Sequence, residues 1–128
     1  MKTVKGYDAD SIDWRGINPD GTPDEQMLAD VTRSIVEAVN PERIILFGSA
    51  ARGEMRAKSD LDVLVVKGGD HYRAVSRRIY LGLPRKRRAV NVVVATNEDI
   101  DRHRDAPYYI IRAALREGRV LYDANAQA

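Results

Sequence analysis

The sequence has no cysteine, few aromatic residues and no long apolar run. Of its 128 residues, 6% are aromatic, with a single tryptophan and a single phenylalanine. The absence of cysteine excludes disulfide bonds and thiolate-bound metals, which is typical of a cytoplasmic protein. No transmembrane helix is predicted, because no stretch of about 18 apolar residues occurs. The polar first residues lack the features of a secretory signal peptide.

The remaining composition is typical of one globular domain. Hydrophobic residues make up 44% of the chain and charged residues 31%, and the formal net charge is +2. A chain of this length buries one hydrophobic core but does not hold a second large domain. The scattered Gly, Asn, Asp and Pro of residues 1–22 predict an extended arm, with Trp14 as its large apolar anchor. We place the folded domain at residues 23–122 and expect residues 123–128 to form a frayed tail.

Apolar residues repeat with the periods of alternating helices and strands. The first helix is predicted to have Thr22 as its N-cap and Pro23 in its first turn, and to stop at Asn40-Pro41. The pattern as a whole predicts a small mixed β-sheet flanked by helices, an α/β (α+β) fold. The valine-rich run 89–95 is expected to be buried on both faces. The predicted strands are 43–47, 61–66, 89–95 and 120–122. Three further helices are predicted. One carries Tyr72, Val75, Ile79 and Leu83 on one face, a short one begins at Thr96, and the last runs from Pro107 to Gly118.

A polar loop between the first two predicted strands carries the chemistry. Gly48-Ser49 follows the first strand, ten residues intervene, and Asp60-Leu61-Asp62 leads into the second. Because side chains alternate along a strand, Asp60 and Asp62 project to the same side and repel each other unless a cation lies between them. Mg²⁺ is the expected cation. Gly48 permits close approach of the backbone to a phosphate, and Ser49 is expected to cap a short helix there.

This pattern resembles the signature of the minimal nucleotidyltransferases, small members of the DNA polymerase beta superfamily. The segments Ala50-Ala51-Arg52-Gly53-Glu54 and Ser59-Asp60-Leu61-Asp62 match it, and the resemblance covers residues 24–122. It implies a polymerase beta-like nucleotidyltransferase fold, Mg²⁺ or Mn²⁺ held by Asp60 and Asp62, and ATP as substrate. It also implies that Gly48 and Ser49 hold the β- and γ-phosphates, with Arg52 and Ser59 as further nucleotide contacts.

The chain departs from the family pattern at Asn91. The resemblance implies a third carboxylate on the strand predicted over residues 89–95, and the matching position holds Asn91, while the strand contains no acid. An asparagine offers a carbonyl oxygen to a metal but carries no charge and cannot act as a base. Loss of a positioned general base costs on the order of 10²–10⁴ in rate. We therefore expect nucleotide binding to be better preserved than catalysis.

A run of basic residues lies between Asp62 and Asn91. Such a surface can bind nucleic acid or a triphosphate, but a solvated helix face followed by a charged loop is the favoured explanation. Nucleic acid is disfavoured as a direct ligand, because aromatic residues do not alternate with the basic ones along the run. The run comprises Arg73, Arg77, Arg78, Arg85, Lys86, Arg87 and Arg88.

Three functions fit the sequence. The first is Mg²⁺-dependent transfer of AMP from ATP to a hydroxyl acceptor; the resemblance implies an antitoxin that modifies a tyrosine of a HEPN-domain toxin. The second is a partner-binding module that keeps the nucleotide pocket but has lost its chemistry at Asn91. The third is an antibiotic-modifying type of nucleotidyltransferase, which is ranked last because almost no chain follows Tyr122 to build an acceptor site.

Overall fold

The computed structural model describes residues 3–4, 7–8, 16–85, 88–103 and 109–127 of the chain. Predictions that concern Trp14, Lys86, Arg87 and Pro107 lie outside these residues. The helices are α1 (Glu25–Val39), α2 (Gly48–Arg52), α3 (Tyr72–Gly82), α4 (Asn97–His103), α5 (Tyr109–Glu117) and α6 (Ala124–Gln127). The strands are β1 (Thr3–Val4), β2 (Tyr7–Asp8), β3 (Arg43–Phe47), β4 (Leu61–Val66), β5 (Val90–Ala95) and β6 (Arg119–Asp123).

A four-stranded mixed sheet in the order β5-β4-β3-β6 forms the centre of the fold. Strand β3 runs antiparallel to both β4 and β6, whereas β4 runs parallel to β5. Helix α3 connects the parallel pair, because parallel strands need a crossover connection. The predicted mixed sheet flanked by helices is confirmed. Strands β1 and β2 form a separate antiparallel pair.

Alternation along the strands divides the core into two layers. On one face of the sheet, residues such as Leu61 and Val63 are fully buried in the layer that includes α1 and α3. On the other face, Leu64 and Val66 pack with Ile100 of α4 and residues of α5. Asp62 has the parity of Leu64, so its side chain belongs to the face covered by α4 and α5.

The start of α1 differs from the prediction. The N-cap is Asp24, whose carboxylate accepts a hydrogen bond from the Met27 amide at 3.1 Å. Thr22 instead turns back to Asp20 and donates its hydroxyl to that carboxylate at 2.6 Å. Both residues have side chains that cap helices, and the nearer one to the apolar stripe takes the position. The predicted stop is confirmed, since Asn40 ends the helix in the left-handed region at φ 48°.

Two burial predictions were wrong. Strand β5 is not buried on both faces, because it pairs only with β4 and forms an edge of the sheet. Its middle residues are half-buried, and Asn91 is exposed. Tyr72 was assigned to the apolar face of α3, but its side chain is 54% exposed, while Val75 and Ile79 are fully buried.

The ends of the described chain carry more structure than expected. Asp123 closes β6, and Ala124–Gln127 form a short helix in place of the predicted frayed tail. At the other end, residues 16–22 contact the domain through hydrogen bonds from the Asp24 amide to the Gly16 carbonyl and from the Met55 amide to the Gly21 carbonyl, both at 2.9 Å.

Candidate active site

Four of the predicted site residues, Gly48, Asp60, Asp62 and Asn91, meet at one end of the sheet. Phe47, the last residue of β3, lies opposite Asp62 in the antiparallel pair, and Asp62 lies opposite Asn91 in the parallel pair. Gly48 follows Phe47, so three neighbouring strands deliver Gly48, Asp62 and Asn91 side by side. Asp60 precedes β4 and reaches the same place.

Asn91 joins the two aspartates. Its amide nitrogen donates to Asp60 Oδ2 and to Asp62 Oδ1, each at 3.1 Å. Carboxylates only accept hydrogen bonds, so the amide nitrogen faces them and uses both of its hydrogens. The two donated hydrogens offset the repulsion between the carboxylates.

Gly48 touches the acidic pair from the β3 side. Its φ of 72° lies in the left-handed region, and a Cβ at this position would lie 2.3 Å from Asp62 Oδ2. The backbone therefore approaches the carboxylate more closely than any residue with a side chain would allow. The predicted Ser49 cap is wrong, because α2 begins at Gly48 with Phe47 as its N-cap and no side-chain capping bond.

Arg52 and Ser59 are engaged by residues outside the acidic pair. Arg52 forms ion pairs with Glu54 at 3.2 Å and Glu117 at 3.4 Å. Ser59 accepts a hydrogen bond from the Arg56 amide at 2.8 Å, which closes a turn just before Asp60. Within the part of the chain that the structure describes, neither side chain is hydrogen-bonded to the aspartates or to Asn91. Their role as nucleotide contacts stays a prediction.

Arg88 supports the site and was misassigned from the sequence. It was grouped with a basic surface, but its side chain is only 3% exposed. Its guanidinium donates to the carbonyls of Ala57 at 2.9 Å and Ser59 at 2.7 Å. These hydrogen bonds connect the loop before Asp60 to Arg88, which lies just before β5. The one available signal was its position directly before a buried strand, where a charge needs buried partners.

The arrangement suits a hard divalent cation. Both carboxylates converge on one position, which the Asn91 amide nitrogen occupies, and oxygen donors are the ligands that Mg²⁺ and Mn²⁺ prefer. Among the residues that the structure describes, no group of three or more His, Cys, Asp or Glu side chains could hold a metal. A cation held by Asp60 and Asp62 would take its remaining ligands from the Asn91 carbonyl oxygen, substrate phosphates and water.

None of the helices in the described ranges is long and apolar enough to cross a membrane.

Comparison with known proteins identifies the family. The sequence model of the polymerase beta nucleotidyltransferase family matches residues 30–127, and the chain belongs to this family. It is 35% identical over 81 residues to a Methanocaldococcus jannaschii protein named "Putative protein adenylyltransferase MJ0604", covering 63% of this chain and 78% of that one. A Sulfolobus solfataricus crystal structure titled as a "putative nucleotidyltransferase" has the same fold. Its TM-score is 0.54 at 19% identity, over 78% of this chain and 83% of that chain.

Proposed function

We propose that this nucleotidyltransferase moves AMP from ATP to a hydroxyl group of a protein, with Mg²⁺ or Mn²⁺ bound by Asp60 and Asp62. The observation that carries the proposal is the convergence of both carboxylates on one position at the end of the sheet, with Gly48 beside them. The relative named as a protein adenylyltransferase supports the choice of acceptor class. The bound cation would neutralise charge on the α-phosphate and on the leaving pyrophosphate.

The residues of the chain bind and orient the substrates. Gly48 lets the phosphates approach the backbone on the β3 side, and Ser49, Arg52 and Ser59 are the proposed further contacts. The acceptor oxygen forms a bond to the α-phosphorus, and the bond from that phosphorus to the bridging oxygen breaks. The electron pair leaves with pyrophosphate. The hydroxyl proton passes to solvent, because Asn91 cannot take it.

Asn91 sets the rate in this proposal. An amide in place of a carboxylate removes one negative charge from the metal site and the base nearest the acceptor. Its nitrogen also holds both aspartates and must give up these two bonds when a cation enters. We therefore infer slow transfer and weak metal binding compared with a site of three carboxylates.

The proposed biological role is that of a cytoplasmic antitoxin whose acceptor is a tyrosine of a HEPN-domain toxin. The family resemblance motivates this role. The test is incubation of the chain with α-phosphate-labelled ATP, Mg²⁺ and the protein encoded by the neighbouring gene. We expect label on that protein, loss of label in an Asp60→Asn, Asp62→Asn double variant, and more label with Asn91→Asp. The proposed activity would be contradicted if the partner protein stayed unlabelled in all of these reactions.

A second candidate function is favoured by the Asn91 hydrogen bonds. The amide satisfies both carboxylates without a cation, so the site is also suited to a module that docks on a partner and transfers nothing. Under this alternative, partner binding measured by calorimetry needs neither ATP nor Mg²⁺ and survives the Asp60→Asn, Asp62→Asn change. Labelling of the partner by the unaltered chain excludes it.

A further inference from the structure

A groove lies between α3 and the edge strand β5, the strand that also carries Asn91. Its volume is about 530 Å³, and Val92 and Val94 contribute to its apolar floor. Tyr72 and Tyr80 line it from α3, with side chains 54% and 42% exposed. The Tyr80 hydroxyl accepts a hydrogen bond from the Val92 amide at 2.9 Å, which fixes one end of the groove next to Asn91.

The groove carries positive charge that the protein does not neutralise. Arg73 and Arg77 line it and are exposed. Arg73 donates to the Tyr72 hydroxyl at 3.2 Å, and its guanidinium lies 5.7 Å from the centre of that ring. In the described ranges of the chain, no carboxylate pairs with either arginine, although Arg78 on the same helix pairs with Asp70 at 2.8 Å.

The order Gly48, Asp62, Asn91 across the sheet indicates the side from which the acceptor hydroxyl approaches. If the phosphates lie at Gly48, as the proposed function requires, the leaving pyrophosphate is on the β3 side of Asp62. In phosphoryl and nucleotidyl transfer, the attacking and leaving oxygens lie roughly in line through the phosphorus. The attacking hydroxyl must then arrive from the opposite side, over Asn91 and the β5 edge. The α3/β5 groove runs along this edge of β5, and Tyr80 at one end of it accepts a hydrogen bond from Val92, the residue after Asn91.

We propose that the α3/β5 groove is the docking surface for the protein acceptor and that it binds an acidic segment next to the hydroxyl that receives AMP. The inference rests on the proposed function for its direction of attack. The two arginines provide the charge complementarity, which mainly sets specificity and association rate. The valine floor and the tyrosines accept apolar side chains, and the Tyr80 hydroxyl is already bonded to the strand edge. A peptide therefore fits this surface better than a phosphate backbone does.

Binding and transfer can be measured separately with synthetic peptides. One probe has a tyrosine flanked by glutamates, and its matched control has lysines in their place. We expect NMR shifts of the Val92 and Val94 methyl groups with the acidic peptide alone, without ATP or metal. The Arg73→Glu, Arg77→Glu double variant should bind the acidic peptide about tenfold more weakly and should gain binding of the lysine peptide.

A second double variant controls for net charge. Arg33→Glu with Arg102→Glu makes the same charge change on α1 and α4, where both side chains are exposed at 65% and 59%. It should bind the acidic peptide like the unaltered chain. Equal weakening in both double variants would overturn the groove assignment, because only total charge would then matter. Displacement of the acidic peptide by a short oligouridylate would also overturn it, in favour of a nucleic-acid surface.

Transfer gives an independent readout. In the Asn91→Asp background, the two groove substitutions should raise the KM for the acidic peptide and leave kcat unchanged. A groove that binds the peptide in a chain that transfers no AMP would contradict the proposed function and support the docking surface. Transfer with a KM that does not respond to the groove substitutions would support the function and contradict the docking surface.

Discussion

The two edge strands of the sheet border grooves of similar size but opposite chemistry. The groove beside β6 has a volume of about 560 Å³ and the groove beside β5 about 530 Å³. At β6, Arg119 is held by two hydrogen bonds to Glu25, at 2.8 and 2.6 Å, and Arg33 pairs with Asp30. At β5, the described residues provide no carboxylate for Arg73 or Arg77.

The difference shows that concave volume does not locate function in this molecule. The charges at the β6 edge stabilise the fold, because each cation already has its anion within the protein. The charges at the β5 edge have no carboxylate partner among the described residues, so they remain available to a ligand. Unpaired charge therefore distinguishes the β5 edge, where we propose that the acceptor docks, from the β6 edge.

The largest expected effect comes from removing the charges of both Asp60 and Asp62. Asp60→Asn with Asp62→Asn should abolish AMP transfer and the rise in melting temperature that Mg²⁺ and ATP give by mass action on the native state. The fold should be retained, because an Asn91 amide can still donate to the new amide oxygens. Glu25→Gln with Asp30→Asn makes the same charge change at the β6 edge and should leave both readouts intact. A metal–nucleotide shift that persists without the carboxylates would disprove the site.

Asn91→Asp should have the next largest effect and the opposite sign. A carboxylate at this position adds metal-binding charge and a base, so transfer should rise by about 10²-fold or more. Without metal the variant should melt lower, since two hydrogen bonds are replaced by carboxylate repulsion. Mg²⁺ should restore the melting temperature. Lower stability with and without Mg²⁺ and no gain in labelled product would contradict the metal-site assignment.

Arg88→Met tests the buried support of the β5 edge. It leaves the carbonyls of Ala57 and Ser59 without their charged donor, and we expect a loss of about 2–3 kcal/mol in the free energy of unfolding. Nucleotide affinity should fall too, because the loop that carries Asp60 loses its attachment. The exposed Arg85, changed to Met in the same segment, is the matched control. Denaturant unfolding that gives the two variants equal stability would refute the positioning role.

Gly48→Ala compared with Ser49→Ala tests the close approach at the end of β3. An alanine at φ 72° costs about 1–2 kcal/mol, and its Cβ displaces the Asp62 carboxylate. Ser49→Ala removes a hydroxyl that caps nothing in the structure. Nucleotide affinity measured by calorimetry should therefore drop much further for Gly48→Ala. If the two variants bind nucleotide equally well, the phosphates lie elsewhere.

The smallest effect is expected at the β6 edge. The Arg119 hydrogen bond lowers the pKa of Glu25 below its usual value of 4.5. This pairing stabilises the fold at pH values above 4.5, and the stabilisation is lost as pH falls through the lowered pKa. Because the side chains are 50% and 64% exposed, we expect Glu25→Gln to cost about 0.2–1 kcal/mol near pH 7. Urea unfolding should show the gap between variant and parent closing in acid; a gap that widens would contradict it.

Strand alternation predicted that Asp60 and Asp62 project to the same side, and the family resemblance matched Asn91 to the third position of the site. The sequence could not reveal that the Asn91 amide bonds both aspartates, since rotamers depend on the neighbouring strand. Arg88 was misread for a related reason. Its partners, the carbonyls of Ala57 and Ser59, are remote in sequence, and the charges around it in the basic run outweighed the signal from its position before the strand.

The valine run 89–95 was misplaced because a strand's position in a sheet is a property of the whole fold. The same run would suit a central strand, and only the order β5-β4-β3-β6 makes it an edge. The N-cap of α1 was a local competition between two capping residues, which Asp24 wins by position. The family resemblance predicted the fold correctly because its motif spans the first two strands of the central sheet.

The parallel pairing of β4 with β5 also orders the assembly of the site in time. The antiparallel β3–β4 pair closes a short loop, whereas β5 returns to β4 only after the α3 crossover, and contacts distant in sequence form late. We therefore expect a folding chain to bring Gly48, Asp60 and Asp62 together first, as an acid pair without a partner. Strand β5 then supplies the Asn91 amide, and its pairing with β4 offsets the repulsion between Asp60 and Asp62.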